Sequence, residues 1–155
     1  MLTQKATKQL VKLLGKVKNP HKGLPEPLFS ALTKIVPFAS CEIVIMNHKK
    51  ELFLTWRDDE WWQGWHFPGG LMRYKESFER SLQNTAKREL GIRLSSFKFI
   101  FPVNYNKGPR GHSVSFIFLC QTRQKPKVGN FFKTMPKDMI SLHKPVWRQA
   151  RKMLK

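Results

Sequence analysis

A chain of 155 residues with 41% apolar content is long enough for one domain with an ordinary core, and its composition is not that of a disordered protein. Its 29 Lys and Arg against 10 Asp and Glu give a net charge of +19, so its long-range field attracts polyanions and repels cations. No apolar run approaches the roughly 20 residues of a membrane-spanning helix, and Met1 to Lys22 has no continuous apolar stretch of the secretory kind, so a cytoplasmic protein is expected.

The first element in chain order is an amphipathic helix. Ala6, Leu10, Leu13, Leu14 and Val17 recur at helical spacing with lysines between them, and Lys18-Asn19-Pro20 ends the pattern. Such a helix is expected to pack its apolar stripe on its own domain, with a membrane surface or RNA as the other possible beds. The lysines are uncompensated, because no acidic residue precedes Glu26, and after Glu89 the one acid is Asp138. Both ends of the chain are therefore expected to bind RNA or another polyanion with steep salt dependence and little sequence preference. Pro20 to Pro27 reads as a connector and Leu28 to Ile35 as a second short helix, so residues 1–38 form a basic helical extension ahead of the main domain at 39–155.

The main domain opens with a strand, Cys41 to Met46, rich in Ile and Val. The turn Asn47-His48-Lys49-Lys50 leads to a returning strand, Glu51 to Arg57. Asp58 to Gly64 is a loop with three acids and two tryptophans. Trp65-His66-Phe67-Pro68-Gly69-Gly70 reads as a strand entering a tight glycine turn. Ser95 to Tyr105 and Ser113 to Thr122 are two further strands joined by Asn106 to Gly111, and Pro136 to Lys155 reads as one or two basic helices. Cys41 and Cys120 both fall in strands and are expected as buried free thiols. Strands flanking a central helix, with helices at the end, predict an α/β fold with a mixed sheet between helices.

That central helix is the most informative segment. Ser77 is suited to cap its start and Gly91 to stop it. Phe78, Leu82, Ala86 and Leu90 form its buried stripe, and at about 100° per residue Glu89 projects at the edge of that stripe. A carboxylate so placed needs a partner, and a metal ion, a lysine or water would each serve.

The pattern Phe67-Pro68-Gly69-Gly70, then Glu76, then Asn84-Thr85-Ala86-Lys87-Arg88-Glu89-Leu90-Gly91-Ile92 resembles the box of the Nudix hydrolases. Gly70, Glu76, Glu89 and Gly91 match that box, and Ala86 and Ile92 hold its apolar slots. Its arginine is replaced by Asn84, and two of its glutamates by Thr85 and Arg88. The resemblance implies a Nudix-type α/β/α sandwich and metal-dependent hydrolysis of a nucleoside diphosphate derivative. It implies Mg²⁺ or Mn²⁺ held by Glu89 and the carbonyl of Gly69, and one ion rather than two or three. Arg88 would supply positive charge near a phosphate in place of a lost carboxylate.

One branch of the family, the GDP-mannose mannosyl hydrolases, also keeps the last glutamate before Leu-Gly and lacks the others. The chain is similar to it at Gln63-Gly64, Pro68-Gly69-Gly70 and Glu89-Leu90-Gly91. The likeness implies attack at the sugar carbon, with Arg57 on the leaving diphosphate and Arg73 near the position of a second arginine. That branch takes its general base from a histidine in the loop before the last helix, and Gln124 to Pro136 holds no His, Asp or Glu. His66 and His112 are the remaining candidates for a base, each expected more as a structural residue. Trp61, Trp62 and Trp65 are placed to stack a nucleobase. Two alternatives stay open: conventional cleavage at phosphorus, and a catalytically silent Nudix fold that binds nucleotide or RNA. A homodimer stays open as well.

Overall fold

In the computed structural model, which describes residues 2–154, two sheets are packed with two apolar cores, one under the box helix and one against the last helix. The elements run α1 (Gln4–Leu14), α2 (Glu26–Leu32), β1 (Phe38–Ile45), β2 (Leu52–Asp58), β3 (Gln63–His66), β4 (Gly69–Leu71), α3 (Phe78–Thr85), β5 (Ser96–Gly108), β6 (Gly111–Gln121), β7 (Asn130–Phe132) and α4 (Lys144–Met153). One sheet has the order β4-β1-β6-β5 and is mixed, because β1 and β6 run parallel while the other neighbours are antiparallel. The second, β3-β2-β7, is antiparallel.

Strand β1 is covered on both faces, which is why it reads as a nearly continuous apolar run. Cys41, Ile43 and Ile45 face α3, meeting Leu82, Ala86 and Leu90. Val44 joins Leu52, Leu54, Phe67 and Ile117 on the other side, under Val146, Trp147 and Ala150 of α4. Alternation puts Glu42 on the Val44 side, so a carboxylate is carried into the space between the sheets. The expected stripe of the central helix is correct for Leu82, Ala86 and Leu90, whereas Phe78 is 41% exposed and stacks against Phe116 and Phe118 at the margin.

The central helix starts as foreseen, with the Arg80 N–H donating to Ser77 Oγ at 3.2 Å. Its last turn, Ala86–Leu90, widens into a π-helix, and Gly91 closes it at φ 66°. Eight residues plus one wide turn are too few to hold a helix alone, so burial of Leu82 and Leu90, about 1.5–3 kcal/mol each, fixes it on the sheet. Glu76 lies outside the helix and ties the preceding loop to it, accepting from Asn84 Nδ2 and the Arg73 N–H, both at 2.8 Å.

Three features differ from the sequence reading. Helix α1 was expected to pack on the domain, yet none of its residues is buried, and Leu10, Val11, Leu13 and Leu14 are all exposed. The final helix was expected from Pro136 and begins at Lys144. The intervening chain makes a turn closed by the Met139 N–H on the Pro136 carbonyl, is held to β3 by Trp65, which donates to the Asp138 carbonyl at 2.9 Å and accepts from the Ile140 N–H at 3.0 Å, and then forms a short 3-10 turn at Ser141–His143. The hairpin between β5 and β6 is tighter than expected, with Gly108 facing Gly111.

Cys41 and Cys120 are free and buried, as expected. Burial pushes their thiols up to about 11 and about 12, so neither is a ready nucleophile. Among the described residues no helix is long and apolar enough to cross a membrane.

Candidate active site

The glycine pair forms the wall on which the site is built. A side chain at Gly69 would lie 2.8 Å from Glu42 Cγ, and one at Gly70 would lie 2.9 Å from an Arg88 guanidinium nitrogen and 3.3 Å from Thr85 Oγ1. Both positions must be small, because β4 passes between the inward carboxylate of β1 and the end of the box helix. Gly69 and Gly70 both line a cavity of about 170 Å³. Beyond Leu71 lies a second groove lined by Arg73, Glu76, Asn84, Thr85 and Arg88. Leu71 borders both.

The cavity holds a buried acid–histidine pair. Glu42 Oε2 lies 3.3 Å from His143 Nδ1, with the two side chains 6% and 14% exposed. Burial pushes the Glu42 carboxyl up. The charge of His143 and the hydrogen-bonding groups of His143, Tyr105 and Ser115 outweigh that and hold it ionised, below the usual carboxylate range. Glu42 Oε2, His143 Nδ1, Tyr105 OH and Ser115 Oγ are all buried, and none completes a well-angled hydrogen bond to a described protein group. Buried polar atoms in that condition are costly, and a bound water, an ion or a chemical role would each account for them.

His66 lies beside this pair, its ring 5.5 Å from that of His143. It shares a 3.1 Å hydrogen bond with Thr55 Oγ1. Burial, reinforced by the positive charges of His143 and Arg57, holds its pKa down to about 4, so it is neutral at ordinary pH. Arg57 lines the cavity and pairs with Asp59 at 2.6 Å. Asp59 Oδ1 also accepts from the Trp61 and Trp62 N–H groups at 2.9 Å, a local turn that holds Trp62 against the cavity. Arg110 closes another edge and stacks 5.7 Å from the Phe29 ring.

The sequence-derived residues fall into three groups. Arg57, His66, Gly69 and His112 line the cavity, with His112 held by Asn104 Oδ1 at 2.7 Å. Arg73 and Arg88 line the neighbouring groove. Trp65 borders neither and packs edge-on between Trp56 and Phe132, while Trp61 is exposed. The sequence reading missed Glu42, Tyr105 and His143. The signal for Glu42 was present as the one acid inside an apolar strand. His143 was hidden because the final helix was begun at Pro136, eight residues before its observed start at Lys144, which placed this residue inside the helix rather than before it. Phe29 and Thr33, from and just after α2, also line the cavity. A side chain at Gly111, where φ is 105°, would collide with the Thr33 carbonyl, so the hairpin and this segment form one wall.

Glu89 is the box carboxylate that remains beside the glycines. It accepts from the Gly69 N–H at 3.2 Å and pairs with Arg88 at 2.9 Å. Among the described residues no three His, Cys, Asp or Glu side chains group to hold a metal. The donor set therefore does not fit a multi-ion cluster: Thr85 and Arg88 stand where further carboxylates would be needed. Both oxygens of Glu89 already have partners, Oε2 the Gly69 N–H and Oε1 the Arg88 guanidinium, so a single ion on this carboxylate would have to displace them.

Strands, box helix and glycine wall define a Nudix domain. The NUDIX domain family matches residues 38–155, and the chain belongs to that family. Solved structures share the fold at low identity. The MutT NUDIX hydrolase from Burkholderia pseudomallei is 21% identical with a TM-score of 0.65, over 74% of this chain and 98% of that one. The NUDIX domain of Shewanella oneidensis NrtR, solved with ADP ribose, is 17% identical with a TM-score of 0.61, over 99% and 100%. A NUDIX hydrolase from Nitrosomonas europaea is 13% identical with a TM-score of 0.60, over 76% and 90%. No curated protein matches the chain.

Proposed function

We propose that this chain hydrolyses a nucleoside diphosphate derivative, with a nucleotide sugar as the favoured substrate, and releases an intact nucleoside diphosphate and a free sugar. The observation that carries this reading is the buried Glu42–His143 pair, which lines the cavity beside Gly69 and Arg57. His143 stands directly before the last helix, the region from which the GDP-mannose mannosyl hydrolases take their base. The ADP ribose held by the NrtR domain, also a nucleoside diphosphate joined to a sugar, is of the same chemical class.

The roles follow from the chemistry of each group. The neutral form of His143 is the one that acts: with its proton on Nδ1, which lies 3.3 Å from Glu42, the Nε2 lone pair is left to accept a proton from water. Glu42 orients the ring and stabilises the imidazolium that forms. The water oxygen bonds to the anomeric carbon, the bond from that carbon to the phosphate oxygen breaks, and its electron pair leaves on the diphosphate. Arg57 and Arg110 meet that growing charge. A divalent ion, when held by Glu89 and the Gly69 carbonyl, supplies further neutralisation of the diphosphate. Trp62 offers an aromatic face at the cavity edge for the base or sugar.

A second reading is favoured by one observation: Arg88 occupies Glu89 and the Gly70 side of the wall, as in a nucleotide-binding fold that has lost turnover. A panel of nucleoside diphosphate sugars and dinucleotides in ¹⁸O water, with Mg²⁺, Mn²⁺ or chelator, separates the readings. Label in the free sugar supports attack at carbon. Label in a phosphate product moves the attack to phosphorus, and tight binding without turnover establishes the silent fold.

The metal competition carries its own expectation. Removing the guanidinium in Arg88→Ala should tighten Mn²⁺ binding about tenfold, the size of one charge-assisted contact. Glu89→Gln should abolish it. Mn²⁺ titration followed by electron paramagnetic resonance reads this without any turnover. Equal affinity in wild type and Glu89→Gln removes Glu89 from the metal role.

A further inference from the structure

Helix α1 carries a feature that the Nudix site does not use. At about 100° per residue, Lys5, Lys8 and Lys12 fall within an arc of about 60°. Ala6, Leu10, Leu13 and Leu14 fall within about 100° on the opposing side. The helix is capped by Thr3, whose hydroxyl accepts from the Ala6 N–H at 3.2 Å. It is a formed element, yet Leu10 is 42%, Leu13 55% and Leu14 38% exposed, and Leu2 just ahead of it is 63% exposed. Lys16 and Lys18 extend the basic run, and no acid interrupts it before Glu26.

We propose that α1 is an interfacial anchor that lies on an anionic lipid bilayer, leucines in the acyl boundary and lysines at the headgroups. The two faces together select this occupant. RNA would satisfy the lysines and leave the leucine stripe in water. A second copy pairing stripe to stripe would leave every lysine unused, and four apolar side chains per helix bury far less than the roughly 1,200 Å² of a stable interface. Eleven residues at 1.5 Å each make a helix of about 16 Å, too short to span a bilayer and suited to lying in its plane. Because α2 follows along the chain and Phe29 lines the cavity, anchoring would hold the site close to the bilayer surface.

The test is flotation of the full chain with vesicles of phosphatidylcholine alone or with added phosphatidylglycerol, alongside binding of a single-stranded RNA. The expected result is at least about tenfold stronger partition onto phosphatidylglycerol vesicles at low salt, weakening as salt rises. A Leu10→Ser/Leu13→Ser/Leu14→Ser variant should lose that partition at unchanged melting temperature, since none of these residues is buried. A Lys5→Gln/Lys8→Gln/Lys12→Gln variant should lose the preference for anionic lipid. If the leucine variant floats as well as wild type, the stripe does not enter the bilayer and the proposal fails. If wild type binds the RNA and ignores both vesicles, the lysine face serves nucleic acid and the proposal fails equally.

Discussion

His143→Ala is expected to lower kcat for nucleotide-sugar hydrolysis by about 10²–10⁴-fold, the usual contribution of a positioned general base, with a much smaller change in KM. The basis is the 3.3 Å contact between His143 and Glu42 inside the cavity. Glu42→Gln should lose a similar factor, because the neutral amide no longer stabilises the imidazolium. The double variant should then be little worse than either single one, as residues acting as a unit are non-additive. Circular dichroism and a thermal melt confirm that each variant folds, and His143→Gln preserves volume where alanine leaves a void. A kcat within about threefold of wild type in a folded His143→Gln protein would remove the pair from the chemistry, since base catalysis contributes far more.

Acid destabilisation is the second large effect, and it isolates His66. Its native pKa of about 4 lies below the roughly 6.5 of an unfolded histidine, so the native state holds it neutral while the unfolded chain takes a proton first. Its contribution is complete above about pH 6.5 and is lost as pH falls towards 4, in total roughly 3 kcal/mol. About 2 kcal/mol of this should be gone by pH 5. Glu42 is depressed from the ordinary carboxylate value, so its contribution fades only below about pH 4.5, in a separate window. Urea unfolding at pH 7 and pH 5 should therefore show a drop in wild type that His66→Gln lacks, with the amide keeping a hydrogen-bonding partner for Thr55. Equal drops in both proteins would place the acid sensitivity elsewhere.

Much of the fold was legible because its signals are local. The strand at Cys41 to Met46, the box helix with its Ser77 cap and Gly91 stop, and the glycine pair are each specified within a few residues. The ends of elements were less legible. Strand β4 is three residues long and exists because Cys41 and its neighbours on β1 pair with it. The path from Pro136 to Ile140, a turn followed by a bridge from Met139 to Trp65, is set by its contact with β3, and no periodicity announces that. The π-turn at Ala86–Leu90 likewise answers to packing, since Leu90 and Ala86 must both reach the sheet.

The site divides in the same way. By itself the sequence determined the Nudix family, the glycine wall, the surviving Glu89, the loss of carboxylates at Thr85 and Arg88, and the basic charge of the ends, because each is a matter of which residues stand at a local spacing. Only the tertiary structure decided that Glu42 and His143, separated by most of the domain, meet in one cavity. It also decided that Trp65 packs away from that cavity, that Arg88 holds Glu89, and that the leucines of α1 stay uncovered. The physical reason is that burial and charge pairing depend on the distance between elements, which strand order and helix packing set and which no window along the chain contains.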